Sequence, residues 1–160
     1  MSVLVAATGV AVAQEVVPAR LSKFSGKIVP RFEVLKYAAV NGRAGPSREH
    51  PILWRYEREG LPLLIIKESR DWRRVRDPDG DEVWVHARML EAGHSGLVQI
   101  ESFVYREASF ESERVARLEA GVLVETGRCD ARWCEVKAGS YKGWAPEEVL
   151  WGVDPGETSL

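Results

Sequence analysis

Two cysteines, Cys129 and Cys134, bracket Asp130-Ala131-Arg132-Trp133 and are the only two in the chain. Thiols at such a spacing can cross-link, shuttle electrons, hold a metal or attack a carbonyl. The intervening residues fall at the junction of two expected antiparallel strands, and facing positions there bring Cα atoms within about 5.5 Å, which is disulfide range. An even cysteine count in an exported chain makes a disulfide the leading reading. Free thiols, a redox pair and half of a zinc site stand beside it. Zinc needs four ligands, and His50, His86 and His94 are not spaced to complete a set. A cysteine hydrolase needs a histidine and an orienting group beside the thiol, but no histidine falls in the repeat unit that carries the cysteines. A Gly-x-Ser-x-Gly elbow is absent from the sequence. No catalytic residue, metal ligand or cofactor-binding residue is expected.

Arg70, Arg73, Arg74 and Arg76 cluster around Trp72. Basic residues interleaved with an aromatic can bind single-stranded nucleic acid. Here Asp71, Asp77, Asp79, Asp81 and Glu82 surround the cluster, so cross-strand charge pairing on a solvated face explains it better. The formal net charge of −2 lacks the basic excess that phosphate binding requires. Nucleic acid is therefore not an expected partner.

The elements that carry these residues are short strands. Phe32 to Val40 forms a first strand region, followed by a turn-rich stretch from Asn41 to Pro51 and a hydrophobic segment from Leu53 to Tyr56. Leu61-Pro62-Leu63-Leu64-Ile65-Ile66 is an apolar run of strand length. Trp72 to Arg76 and Glu82 to His86 flank Asp77-Pro78-Asp79-Gly80, whose Pro and Gly suit a type I turn. Ala87 to Leu90 reads as a closing helical turn. Several short strands at close spacing indicate an all-β fold built as a small barrel.

The plan occurs twice. Asp71-Trp72-Arg73-Arg74-Val75 recurs as Arg132-Trp133-Cys134-Glu135-Val136, an offset of 61 (133 − 72), and Gly60 recurs as Gly121. Trp84 recurs as Trp144 and Leu90 as Leu150 at an offset of 60 (144 − 84), a slip of one residue inside a turn, where length changes are tolerated. Residues 30–92 and 96–153 are thus two units of one design. Val3 to Val12 is uncharged and ends in Ala11-x-Ala13, which fits a signal-peptidase site. Residues 1–13 are therefore expected to be a signal peptide, its basic start missing from Met1-Ser2, with 14–29 as a leader or linker and 154–160 as a tail. Export to the periplasm or outside the cell follows, and no apolar run is long enough to span a membrane once the leader is cleaved.

Val40-Asn41-Gly42-Arg43-Ala44-Gly45-Pro46-Ser47, then Gly60-Leu61, Trp72-Arg73-Arg74-Val75, Gly80 and Trp84-Val85-His86, resembles the bacterial Src-homology-3 (SH3) signature. The pattern is similar to exported proteins of Gram-negative bacteria with two such modules and a terminal Leu-Trp-Gly-Val, here Leu150-Trp151-Gly152-Val153. The resemblance implies two tandem SH3-like β-barrels. The family carries an aliphatic residue where Gly42 stands, so a bulge is expected there. In the second copy Val104-Tyr105-Arg106-Glu107-Ala108-Ser109 is expected to keep the Arg and lose the Gly-Pro pair.

By the same resemblance the chain is a non-catalytic binding module whose ligand is a cell-wall component such as peptidoglycan, or an envelope protein or peptide. The alternative is an envelope scaffold that holds a protein partner through a barrel edge or an aromatic groove. Eukaryotic SH3 domains dock Pro-rich helices in such a groove, which makes Tyr37, Trp54, Tyr56 and Trp72 candidate ligand residues, although packing competes for each. Asn41 and Arg43 join them from the long loop. Turn closure by Asn41 and pinning of loop carbonyls by Arg43 are the favoured local roles. Trp151 is expected to pack back on the barrels.

Overall fold

A computed structural model describes residues 16–154. The signal peptide expected over 1–13 and the tail beyond Asp154 lie outside the described residues. Sixteen strands and two single-turn 3-10 segments make up the described chain. β1 (Arg20–Leu21) and β2 (Ile28–Val29) form an antiparallel pair. The first barrel follows with β3 (Arg31–Leu35), β4 (Val40–Arg43), β5 (Ile52–Tyr56), β6 (Pro62–Ser69), β7 (Trp72–Arg76), β8 (Glu82–His86), the turn Ala87–Met89 and β9 (Leu90–Glu91). The second has β10 (Ser95–Val98), β11 (Ser102–Tyr105), β12 (Arg114–Leu118), β13 (Leu123–Asp130), β14 (Trp133–Ala138), β15 (Tyr141–Pro146), the turn Glu147–Val149 and β16 (Leu150–Trp151).

The sheet orders are β5-β4-β8-β7-β6-β3-β9 and β12-β11-β15-β14-β13-β10-β16, the same topology twice. Alternation produces it. In β7 and β8, Val75, Val83 and Val85 point into the core, while Trp72, Arg74, Arg76, Glu82, Trp84 and His86 point outward. Val98, Val104, Leu118, Val124, Val136 and Ala145 build the second core.

The Asp77–Gly80 turn forms as its residue types require. Gly80 N–H donates to the Asp77 carbonyl at 3.0 Å, and Asp77 Oδ1 accepts the Asp79 and Asp81 N–H groups, each at 3.0 Å. Asp77 is therefore a buried turn organiser and not a partner of the arginines. Their partners are Glu82, which meets Arg74 at 2.7 Å and Arg76 at 2.8 Å, and Glu68, which faces Arg73 at 3.3 Å. The bulge at Gly42 is present, since the register against β5 shifts between Gly42 and Arg43. A Cβ at Gly42 would sit 2.6 Å from Val83 Cγ2, so no side chain fits beneath this strand.

Residues 20–29 are not a linker. Val29 belongs to the first core, and Ser22 and Ser25 donate to the Glu68 carboxylate, which ties the β1–β2 pair to β6. Two-residue strands joined by a connection of Ser, Lys, Phe and Gly carry no periodicity by which a sequence could reveal them. The second barrel starts at Ser95, whose hydroxyl donates to the Gly60 carbonyl of the first. Trp151 also crosses between barrels: Nε1–H donates to the Pro62 carbonyl at 2.9 Å, and the indole meets the edge of Phe32 at 5.2 Å. Among the described residues no helix is long and apolar enough to cross a membrane.

Candidate functional site

Trp72 opens β7 and pairs in register with His86 at the end of β8, so both rings project from the same face. They meet edge to face at 5.2 Å. His86 also caps the following turn, where its Nδ1 accepts the Arg88 N–H at 3.2 Å and Arg88 and Met89 are carried in beside Trp72. β4 forms the opposite wall with Val40, Asn41 and Arg43. The loop after β4 adds Arg48, and together they enclose a groove of about 280 Å³.

The loop is held rigidly. Arg43 Nη1–H donates to the carbonyls of Arg48 at 3.0 Å and His50 at 2.9 Å, the pinning role expected for it. Ser47 Oγ lies 2.8 Å from His50 Nδ1, and His50 packs so closely over Gly45 that a Cβ there would come within 2.3 Å of its ring. The small residues of this loop thus fit its own side chains.

The six candidate ligand residues divide. Asn41, Arg43 and Trp72 line the groove. Tyr37 is exposed in the short connection between β3 and β4, under the Lys36 ammonium and apart from the groove lining. Trp54 is 57% exposed on β5, beside Leu53, Asp81 and Glu82 in a separate shallow depression. Tyr56 is only 5% exposed and belongs to the first core. Its hydroxyl donates to Asp77 Oδ2 at 3.1 Å, and burial followed by the Asp77 carboxylate pushes the phenol well above its ordinary range. Tyr56 is packing, because β5 turns its last residue inward opposite Val40. His86, Arg48, Arg88 and Met89 complete the groove and were not among the sequence candidates. The closing turn carries two of these four side chains, Arg88 and Met89, and its position after β8 was legible.

The second barrel has the equivalent face, and it is filled. Phe110 packs on Trp133 with ring centroids 4.7 Å apart, and Tyr105 meets Trp133 at 5.4 Å and Phe110 at 5.7 Å. The register also corrects the alignment of the long loop. Arg43 pairs with Trp84 and Tyr105 with Trp144, so the residue at the position of Arg43 is Tyr105, and Arg106 lies one step further along. The arginine is not kept. The β4–β5 and β11–β12 hairpins correspond at an offset of 62 (105 − 43 and 114 − 52), a third value that residue similarity around the tryptophans does not reveal.

Cys129 and Cys134 face each other across β13 and β14 and form a disulfide, with Cα atoms 4.0 Å apart. No free cysteine is present among the described residues.

Two curled seven-stranded sheets with one topology, each closed by a 3-10 turn, define a tandem SH3-like architecture. The chain belongs to the bacterial SH3 domain family, which matches residues 36–91 and again residues 99–152. Each match leaves out the first strand of its barrel. Among solved structures the chain is similar to NlpC2 from Trichomonas vaginalis, at 15% identity over 77% of this chain and 48% of that one, with a TM-score of 0.36. It is also similar to NlpC1 from the same organism, at 17% identity over 81% of this chain and 48% of that one, with a TM-score of 0.35. This chain thus spans about half the length of either. No curated protein matches it.

Proposed function

We propose that the chain is a non-catalytic, exported binding module whose first barrel holds a cell-wall or envelope component in the groove at Trp72. The observation that carries this is the asymmetry of the two barrels: the groove beside Trp72 is open, and its counterpart beside Trp133 is occupied by Phe110 and Tyr105. An open concave face with one aromatic wall and several convergent polar groups is the form of a small-ligand site. The Cys129–Cys134 disulfide supports an oxidising compartment, periplasmic or extracellular. With both sulfurs bonded to each other, the chain's two thiols offer no nucleophile, in keeping with binding as the role. Peptidoglycan is the wall ligand to test first. The mature protein is expected to pellet with isolated peptidoglycan, and Trp72→Ala to reduce the pelleted fraction at least tenfold while Trp54→Ala leaves it unchanged. Absence of pelleting by the native chain removes peptidoglycan as the ligand.

A second reading rests on β5. It ends the sheet order, so one row of its backbone groups is free, and Ile52, Leu53 and Trp54 are all exposed along it. Arg55 on β5 and Arg117 on β12 occupy equivalent positions, each paired with an acid, but β12 has Arg114 and Ala116 where β5 has Ile52 and Trp54. An edge with three consecutive exposed apolar residues suits strand addition by a protein partner, the scaffold role. A photo-crosslinker at Leu53 is then expected to capture one dominant envelope protein in intact cells, and diffuse labelling would count against it.

A further inference from the structure

Three lining positions of the first groove carry arginine, and none of their equivalents in the second barrel does. The hairpin register sets Arg43 against Tyr105, and loops of equal length set Arg48 against Phe110. The closing turns set Arg88 against Glu148. In the second barrel Tyr105 and Phe110 stack on Trp133, and Glu148 lies 3.7 Å from Arg132. In the first, the groove has three guanidinium groups and no carboxylate in its lining. Among the described residues none of Arg43, Arg48 and Arg88 forms an ion pair, although nine other arginines do. Arg43 spends one amino group on loop carbonyls, whereas Arg48 and Arg88 are exposed with their guanidinium groups unengaged by any described residue. The nearest acid in sequence, Glu49, is exposed and feels the charge of Arg43, but it does not line the groove. The chain as a whole carries a net charge of −2, so this concentration of positive charge is local.

We infer that the first groove recognises a peptide bearing two or more free carboxylates, with Trp72 packing against the peptide and Arg48 and Arg88 meeting its acidic groups. This deepens the groove reading above and rests on it. Guanidinium forks match carboxylates in planar, two-bond geometry, and a charge-assisted bond is about twice as strong as a neutral one. Both arginines are exposed, so their contribution is screened by salt. The second groove, with its arginines replaced and its space filled, does not take this ligand.

Calorimetric titration of the full chain with Ala-Glu-Ala-Glu carrying a free C-terminus, against Ala-Gln-Ala-Gln amide, tests the inference. The acidic peptide is expected to bind at least tenfold more tightly than the amide, and more weakly as salt is raised. Arg48→Glu with Arg88→Glu should weaken it at least tenfold, and Arg117→Glu on the second barrel should leave it unchanged. Both groove positions are exposed, so the double variant is expected to keep the native melting temperature. Equal affinity for the two peptides, no binding of the acidic one at millimolar concentration, or indifference to the double substitution overturns the carboxylate inference. In each of these cases the groove reading is judged separately, by whether Trp72→Ala still abolishes pelleting with peptidoglycan.

Discussion

Glu68 and Arg73 face each other across β6 and β7, and Cys129 and Cys134 occupy the same two places in β13 and β14, each pair related by an offset of 61 (129 − 68 and 134 − 73). The hairpins match as well, with Arg70 and Ala131 both at positive φ. One slot is thus closed by an ion pair in the first barrel and by a covalent bond in the second. The ion pair sits in a network, because the Glu68 side chain is 1% exposed and accepts from Ser22, Ser25 at 2.9 Å and Arg31 at 2.8 Å. Burial pushes the Glu68 carboxyl upward, but the bonds from Ser22, Ser25 and Arg31 and the charge of Arg73 outweigh it and hold the pKa below the usual range. A carboxyl with a depressed folded-state pKa adds stability that is fully present above the unfolded value and lost as pH falls through the folded one. The native chain should therefore lose stability steeply below about pH 4.3, the ordinary Glu value. Glu68→Gln should be less stable at pH 7 by about 3 kcal/mol, because it leaves the largely buried Arg73 without a carboxylate and Arg31 with Glu33 alone. Its stability should change less over the acid range. Urea unfolding of both proteins between pH 7 and pH 3 checks the two slopes, and parallel slopes would refute the assignment.

Strands and turns that alternate or punctuate strongly were legible in the sequence, and elements fixed by partners elsewhere were not. β7, β8, the Asp77–Gly80 turn and both closing turns follow from local residue types. β1 and β2 exist because Ser22 and Ser25 find Glu68, a contact 43 or more residues distant. The groove was half legible for the same reason. Trp72, Arg43 and Asn41 stand out by type, but Arg48 and Arg88 acquire meaning only when β4 and the closing turn are brought together. Trp54 and Tyr56 look alike in sequence, and the end of the core separates them. The Cys129–Cys134 pairing was read from hairpin spacing, and its energetic role is confined to its own hairpin. Closing so short a loop contributes about 2 kcal/mol in the chain-entropy account. Cys134 is itself fully buried in the second core, so Cys129→Ala with Cys134→Ala should cost the second barrel about that much or slightly more. Hydrogen exchange of β13 and β14 should quicken accordingly, with β6 and β7 unchanged. Equal quickening in both barrels would mean that the staple acts on the whole molecule.

The barrels share one chain and also one interface, and Trp151 is its main side chain. β16 pairs with β10 in the second barrel, yet the indole reaches the first, bonding the Pro62 carbonyl at 2.9 Å and packing on Phe32. Gly152 follows at φ 100, where a Cβ would stand 2.4 Å from Pro62 Cγ, so the chain passes too close to β6 for any side chain. Trp151 is not a member of the second core, and removing it should leave each barrel intact while uncoupling them. Two domains joined by a tight interface unfold together, and weakening the interface lets each report its own transition. Calorimetry of the native chain is therefore expected to show one transition, and that of Trp151→Ala two. The lost ring should cost about 3 kcal/mol, while Trp151→Phe, which keeps a ring and loses only the N–H donor, should cost about 1 kcal/mol and retain a single transition. If Trp151→Ala still melts in one step at the native temperature, the other contacts between the barrels, among them Ser95–Gly60 and Gln99–Pro78, suffice to couple them, and Trp151 is only a surface cover.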